Sequence, residues 1–197
     1  MIQLGITGGI GSGKTTVCRV LEQLHIPVYY ADDESKKILA SADIEKRVAK
    51  VFGNAVLDEQ GNLNRAKLSA IVFEHPTELV KLTSILHPAV NEHYHAWLKM
   101  QKNKSMVAKE AAVLFESGAF AQMDKIITVY APKELRIERT MQRNNYTRQE
   151  ILNRMKQQLS EKEKIRQSDF VIYNDGKKLV IPQVLQILHQ LGYNKGL

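Results

Sequence analysis

Gly8-Gly9-Ile10-Gly11-Ser12-Gly13-Lys14-Thr15 carries the spacing G-x-x-x-x-G-K-[ST], which suits a chain of phosphates. The glycines let the backbone wrap so that successive N–H groups, those of Ser12 and Gly13 among them, point inward. A helix starting at the end of the loop adds the positive end of its dipole. Lys14 can reach the β and γ phosphates as a point charge, and the Thr15 hydroxyl can take one position on a Mg²⁺ ion bridging the same oxygens. Thr16 is expected to add a contact to the α phosphate. Glycine-rich turns join strands to helices in many folds. Few of them carry Lys-Thr at this offset behind an apolar run such as Ile2–Thr7, so the stretch is read as a P-loop.

Other chemistry-bearing residues are more ambiguous by themselves. Asp32 follows the short apolar run Val28-Tyr29-Tyr30, and at the carboxyl end of a parallel strand it would face the ligand crevice as a base. Equally, Asp32, Asp33 and Glu34 can simply charge the first turn of a helix. Glu110 and Glu116 follow the next strand pattern, the first suited to accept a water from the magnesium shell and the second to hold substrate, while either could equally be a solvated loop acid. Arg136, Arg139 and Arg143 recur at spacings of three and four with no acid at i±3 or i±4. Such a stripe costs helix stability unless an external anion neutralises it, and phosphates would do so. His87, His93 and His95 do not form a metal-ligating pattern, since the latter two are too close in sequence to face one point from a helix.

The elements that must position these residues alternate. Ile2–Thr7, Val28–Tyr30, Ser105–Ala108, Ile126–Tyr130 and Phe170–Tyr173 read as strands of a parallel sheet, and Val17, Val20, Leu21 and Leu24 recur at helical spacing after the first. The expected fold is α/β, a five-stranded parallel sheet flanked by helices. Its core comprises about 1–40, 105–135 and 168–197. From about 41 to 104 the chain reads as helical, too long for one crossover, and is expected to be an inserted lobe. One of its helices carries Leu68, Ile71, Val72 and Phe73. Another has the stripe Leu86, Val90, Tyr94 and Trp97, kinked or restarted at His87-Pro88. A lid region of about 136–167 is expected to hold the arginine helix, a polar turn at Asn144-Asn145-Tyr146-Thr147 and one charged helix from about Arg148 to Arg166.

The 197 residues are 44% apolar, ample for a buried core, with no run long enough to span a bilayer. The start leads straight into a strand, so a cytoplasmic protein is expected, with no membrane contact. The single cysteine, Cys18, excludes an internal disulfide and reads as a buried thiol. A formal charge of +7 points to anionic partners, either nucleic acid or a small phosphorylated substrate with its nucleotide.

Neither Asp-x-x-Gly nor Asn-Lys-x-Asp, the marks of a GTPase, is present, and the third strand ends in Lys-Glu rather than a motor-type acid. Taken in order, Thr7–Thr16, Ala31-Asp32, Leu86-His87-Pro88, Leu114-Phe115-Glu116, Arg139-Thr140-Met141-Gln142-Arg143, Arg154 with Gln158, and Asp169 leading to Asn174 resemble the dephospho-CoA kinase family from the first strand to the last helix. Two departures stand out. Tyr30 occupies the position of the first acid in the family's Asp-Ala-Asp, and Ala112-Val113-Leu114 replaces Pro-Leu-Leu.

The resemblance implies ATP and Mg²⁺ as cofactors and transfer to the ribose 3′-hydroxyl of dephospho-CoA. It implies Asp32 as base, Lys14 with Arg139 and Arg143 on the transferring phosphates, and Arg65, His87, Leu114, Phe115 and Glu116 around the acceptor. Asn174 would lie at the adenine edge or merely form a turn. The chain is expected to act as a monomer on small molecules, not on nucleic acid. A nucleoside or nucleotide kinase of the same fold, or a nucleic-acid-binding ATPase, would be the alternatives.

Overall fold

The computed structural model describes residues 1–143 and 146–193. Asn144 and Asn145, expected in a polar turn, lie outside the described residues, as does the side chain of Phe73. The chain divides into two compact units, Met1–Tyr30 with Gln101–Leu197, and Ala31–Met100.

The first unit is built on β1 (Ile2–Thr7), β2 (Val28–Tyr30), β3 (Met106–Glu110), β4 (Lys125–Tyr130) and β5 (Phe170–Tyr173). All four strand pairings are parallel, in the order β2-β3-β1-β4-β5. The central strand β1 therefore has β3 on one side and β4 on the other. Its Leu4 and Ile6 are fully buried with Val17, Cys18 and Leu21 of α1 (Lys14–Gln23) and with Val184 and Leu188 of the last helix, Val180–Gln190. Near-continuous apolar strands are what a sheet covered on both faces requires. β3 runs two residues beyond the expected Ala108, because Lys109 and Glu110 stay in register with Gly5 and Ile6 of β1. Polar side chains at a strand end do not break the ladder when the backbone partners are in place.

The second unit comprises α2 (Ala31–Leu39), α3 (Ala42–Phe52), a 3-10 turn at Gly53–Val56, α4 (Arg65–Glu74) and α5 (Pro76–Met100). Ile44, Val48, Leu68, Leu82, Ile85 and Leu86 form its core. Asn64 starts α4, its Oδ1 accepting from the N–H groups of Ala66 and Lys67 at 3.1 Å. Of the two outcomes expected at His87-Pro88, a kink or a restart, the restart does not occur: α5 continues through Pro88. One lost backbone hydrogen bond is outweighed by the buried anchors Leu82, Ile85, Leu86 and Tyr94 on either side. Tyr94 and Trp97 stack with ring centroids 5.9 Å apart.

Back in the first unit, α6 (Lys133–Arg143) is followed by two helices where one was expected, α7 (Arg148–Lys156) and α8 (Glu161–Arg166). Each has its own start. Thr147 and Glu150 form a capping box, and the Ser160 hydroxyl accepts from the Glu163 N–H at 3.1 Å. The pattern Ser160-x-x-Glu163 is the signal in the sequence that marks the second start. The last helix, α9 (Val180–Gln190), closes the unit. Among the described residues, no helix is long and apolar enough to cross a membrane.

Candidate active site

The glycine loop leaves the carboxyl end of β1 at Thr7 and enters α1 at Lys14, with Gly13 in the left-handed region at the helix start. The Lys14 ammonium donates to the Gly8 carbonyl at 3.1 Å and faces Glu110 Oε1 at 3.6 Å. Both side chains are about one-tenth exposed, 11% and 10%. Glu110 is thus a buried acid at the head of β3 rather than a solvated loop residue. The Ser12 and Thr7 hydroxyls are fully buried, and neither has a hydrogen-bond partner among the described residues. Leaving such groups unmade costs about 1–3 kcal/mol each, an expense tolerated where a polar ligand will satisfy them. Thr15 and Thr16 lie exposed on the first turn of α1.

Gly9 and Gly11 are bare for different reasons. Gly11, at φ 77°, has the Arg136 carbonyl and Thr140 Oγ1 directly over its Cα. Gly9 has no positive φ, but a side chain there would run into the Arg136 guanidinium and Glu161 Oε1. The loop is therefore roofed by α6 and by the start of α8 as well as shaped for anions.

That roof corrects the reading of the arginine stripe. Arg136 is buried, and its partner is the carboxylate of Glu161, 3.2 Å away from α8, so an internal acid neutralises it instead of an external phosphate. Arg139 donates to the Asn174 carbonyl at 3.0 Å and to its Oδ1 at 3.4 Å. Asn174 in turn donates from Nδ2 to the Ser12 carbonyl at 2.9 Å, which ties Arg139 to the loop through one amide. Arg143 is exposed at the last position of α6.

The residues after β3 are held by a lysine that sequence reasoning missed. Lys164 of α8 is fully buried, donating to the Ala112 carbonyl at 2.9 Å and pairing with Glu116 at 3.3 Å. Burial pulls its pKa below the usual lysine range, against the opposing pull of Glu116. Glu116 Oε1 also accepts from the Leu159 N–H at 2.7 Å. Leu114 is fully buried and Phe115 nearly so, the latter tilted against Phe120. The missed lysine carries no motif, because a charged residue in a short helix of alternating charges looks solvated until its neighbour is known.

In the helical unit, Asp32, Asp33 and Glu34 all stand in the first turn of α2. Asp33 and Glu34 are spent on Lys36 and Lys37, each at 2.7 Å, whereas among the described residues Asp32 has no ion-pair partner. Arg65 opens α4, and His87 lies exposed on α5. Cys18 is buried, and burial pushes its thiol pKa far above the usual range. Among the described residues, no group of three or more His, Cys, Asp or Glu is placed to hold a metal ion.

A model of the dephospho-CoA kinase family matches residues 2–179. The chain belongs to that family. Dephospho-CoA kinase from Bacteroides fragilis is 40% identical over 95% of this chain and 91% of its own. Among solved structures, a Thermus thermophilus protein superposes with a TM-score of 0.87 at 31% identity, covering 96% of this chain and 97% of the other. Dephospho-CoA kinase from Campylobacter jejuni follows with a TM-score of 0.67 at 25% identity and 96% of each chain. The family match takes in the phosphate loop, Asp32, the residues after β3 and both Arg139 and Arg143.

Proposed function

We propose that this chain is the kinase that phosphorylates dephospho-CoA with ATP, completing coenzyme A. Its carrying observation is the family match over residues 2–179, which includes a loop already folded around Lys14. The acceptor's ribose 3′-oxygen forms a bond to the γ phosphorus, the bond from phosphorus to the bridging oxygen breaks, and ADP leaves with that electron pair. The hydroxyl proton goes to Asp32. Of the three acids in its turn, this is the one that Lys36 and Lys37 leave unpaired, as a base requires.

Lys14 leaves Gly8 and Glu110 to meet the β and γ phosphates, and the Gly13 N–H cradles them with that of Ser12, which must first release the Gly9 carbonyl it donates to at 3.1 Å. Arg139, held by Asn174, and Arg143 neutralise charge on the transferring group; Gly8, Gly9 and Gly11 give the loop its shape. Thr15 offers a hard oxygen donor that suits Mg²⁺, with Glu110 accepting from a water of its shell; when bound, the ion would spread charge on the phosphates. Thr16 reaches the α phosphate, and Asn174 lies towards the adenine edge. Arg65, His87, Leu114, Phe115 and Glu116 are assigned to the acceptor by the family resemblance, and residues 41–104 serve as the acceptor lobe. The protein acts in the cytoplasm as a monomer on a small molecule. Several of its cations, Lys14, Lys109, Arg136 and Lys164, are turned inward and withheld from any nucleic acid.

A mass-resolved transfer assay with ATP, Mg²⁺ and dephospho-CoA, run beside AMP, uridine and adenosine, tests the reading. Coenzyme A with stoichiometric ADP and little product from the others is expected. Preferential phosphorylation of another acceptor would overturn the acceptor and leave the kinase.

A further inference from the structure

The joint between α7 and α8, residues 157–160, holds the apex of the phosphate loop from above. The Ile10 N–H donates to Gln158 Oε1 at 3.1 Å. Ile10 lies between Gly9 and Gly11, so it is the loop's one side-chain-bearing residue at the apex and its N–H is a natural point of restraint. On the far side of the joint, Glu161 sits with Arg136 against Gly9. Leu159, between these two contacts, is fixed by Glu116, and Lys164 one turn further on is fixed by Glu116 and Ala112. The joint is thus anchored independently of the loop it restrains.

We propose that Gln158 is a positioning residue for the donor phosphates: its amide oxygen fixes the Ile10 N–H, so that the loop is ordered before ATP arrives. A neutral acceptor is the chemistry the place demands. It satisfies one N–H without setting a negative charge beside incoming phosphates, as an Asp or Glu would. Ordering a glycine-rich loop in advance removes an entropic cost from nucleotide binding and leaves the acceptor's binding untouched.

The inference rests on ATP binding at the loop, so the experiment compares wild type, Gln158→Ala and Gln158→Glu in steady-state kinetics and ATP titration, with Tm measured for each. The loss of one hydrogen bond in Gln158→Ala should raise KM for ATP about 2- to 10-fold with KM for dephospho-CoA unchanged. Gln158→Glu has the same shape and keeps the acceptor, so it folds; its added charge should weaken ATP binding further, and more so at low salt. An unchanged ATP KM in Gln158→Ala, whatever its Tm, would overturn the proposal, as would equal rises for ATP and acceptor. So would a Gln158→Glu variant that binds ATP as wild type does. Failure of wild type itself to bind ATP would instead remove the nucleotide reading on which the inference rests.

Discussion

In the sheet unit the buried side chains include Lys109, Glu110, Arg136 and Lys164, whereas the buried side chains described in the helical unit are aliphatic or aromatic. The helical unit keeps its ion pairs outside, Asp33–Lys36 and Lys81–Glu78 each at 2.7 Å with solvent-exposed lysines. Such pairs contribute little, and the unit stands on hydrocarbon burial. Buried charges cost far more to desolvate and persist only when partners and hydrogen bonds surround them. The sheet unit accepts that cost around the phosphate loop, where transfer of a highly charged group needs fixed countercharges that cannot drift.

The largest test of this contrast removes one chemical group from each unit. Asp32→Asn, in the helical unit, should lower kcat by about 10²–10⁴ with both KM values near wild type, because a base acts only in the transition state. Lys14→Ala, in the sheet unit, should lower kcat/KM for ATP by roughly 10²–10³ through the donor side. A near-normal rate in either variant would remove that residue from the reaction.

Next comes the apolar core. Leu68→Ala should destabilise the helical unit by about 2–5 kcal/mol, read by urea unfolding, while ATP titration of the folded protein stays unchanged. Loss of ATP binding in parallel would show that the two units do not divide the work in this way.

Glycine replacements give a smaller and sharper comparison. Gly11→Ala adds a methyl group against the Arg136 carbonyl at a positive φ, while Gly61→Ala meets open space at a positive φ. The second should cost about 1–2 kcal/mol from backbone strain, and the first a further 1–3 kcal/mol from overpacking. Equal losses would mean that α6 yields and the roof over the loop is soft.

The smallest effect is electrostatic. Burial lowers the Lys109 pKa to about 8 from 10.5. Below about pH 8 the folded protein must hold this charge in β3, and that cost disappears as pH rises towards the unfolded value, where the unfolded chain binds the extra proton. Lys109→Met should therefore raise Tm by about 2–4 °C at pH 7, with the gap to wild type narrowing between about pH 8 and 10.5. A gap independent of pH would place the effect in packing alone.

The sequence carries much of this legibly. β2 and β5 fall where Val28–Tyr30 and Phe170–Tyr173 predict them, since buried parallel strands are short apolar runs bounded by turns. The phosphate loop is equally plain, because consecutive residues build it. Whether α5 kinks or restarts at Pro88 was not legible, because the burial of its own Leu82, Ile85, Leu86 and Tyr94 in the packed unit decides it. Nor was the division of α7 from α8, although Ser160 and Glu163 carry the signal.

What the sequence by itself determined is whatever depends on neighbours along the chain: the strand and helix periods, the loop at Gly8–Thr15, and the family motifs in their order. Only the tertiary structure decided which charges meet. Arg136 takes Glu161, Lys164 takes Glu116, and Gln158 reaches Ile10 across 148 positions. The physical reason is that a charged or amide side chain has no preferred partner in its own sequence; burial and the approach of another element choose one for it.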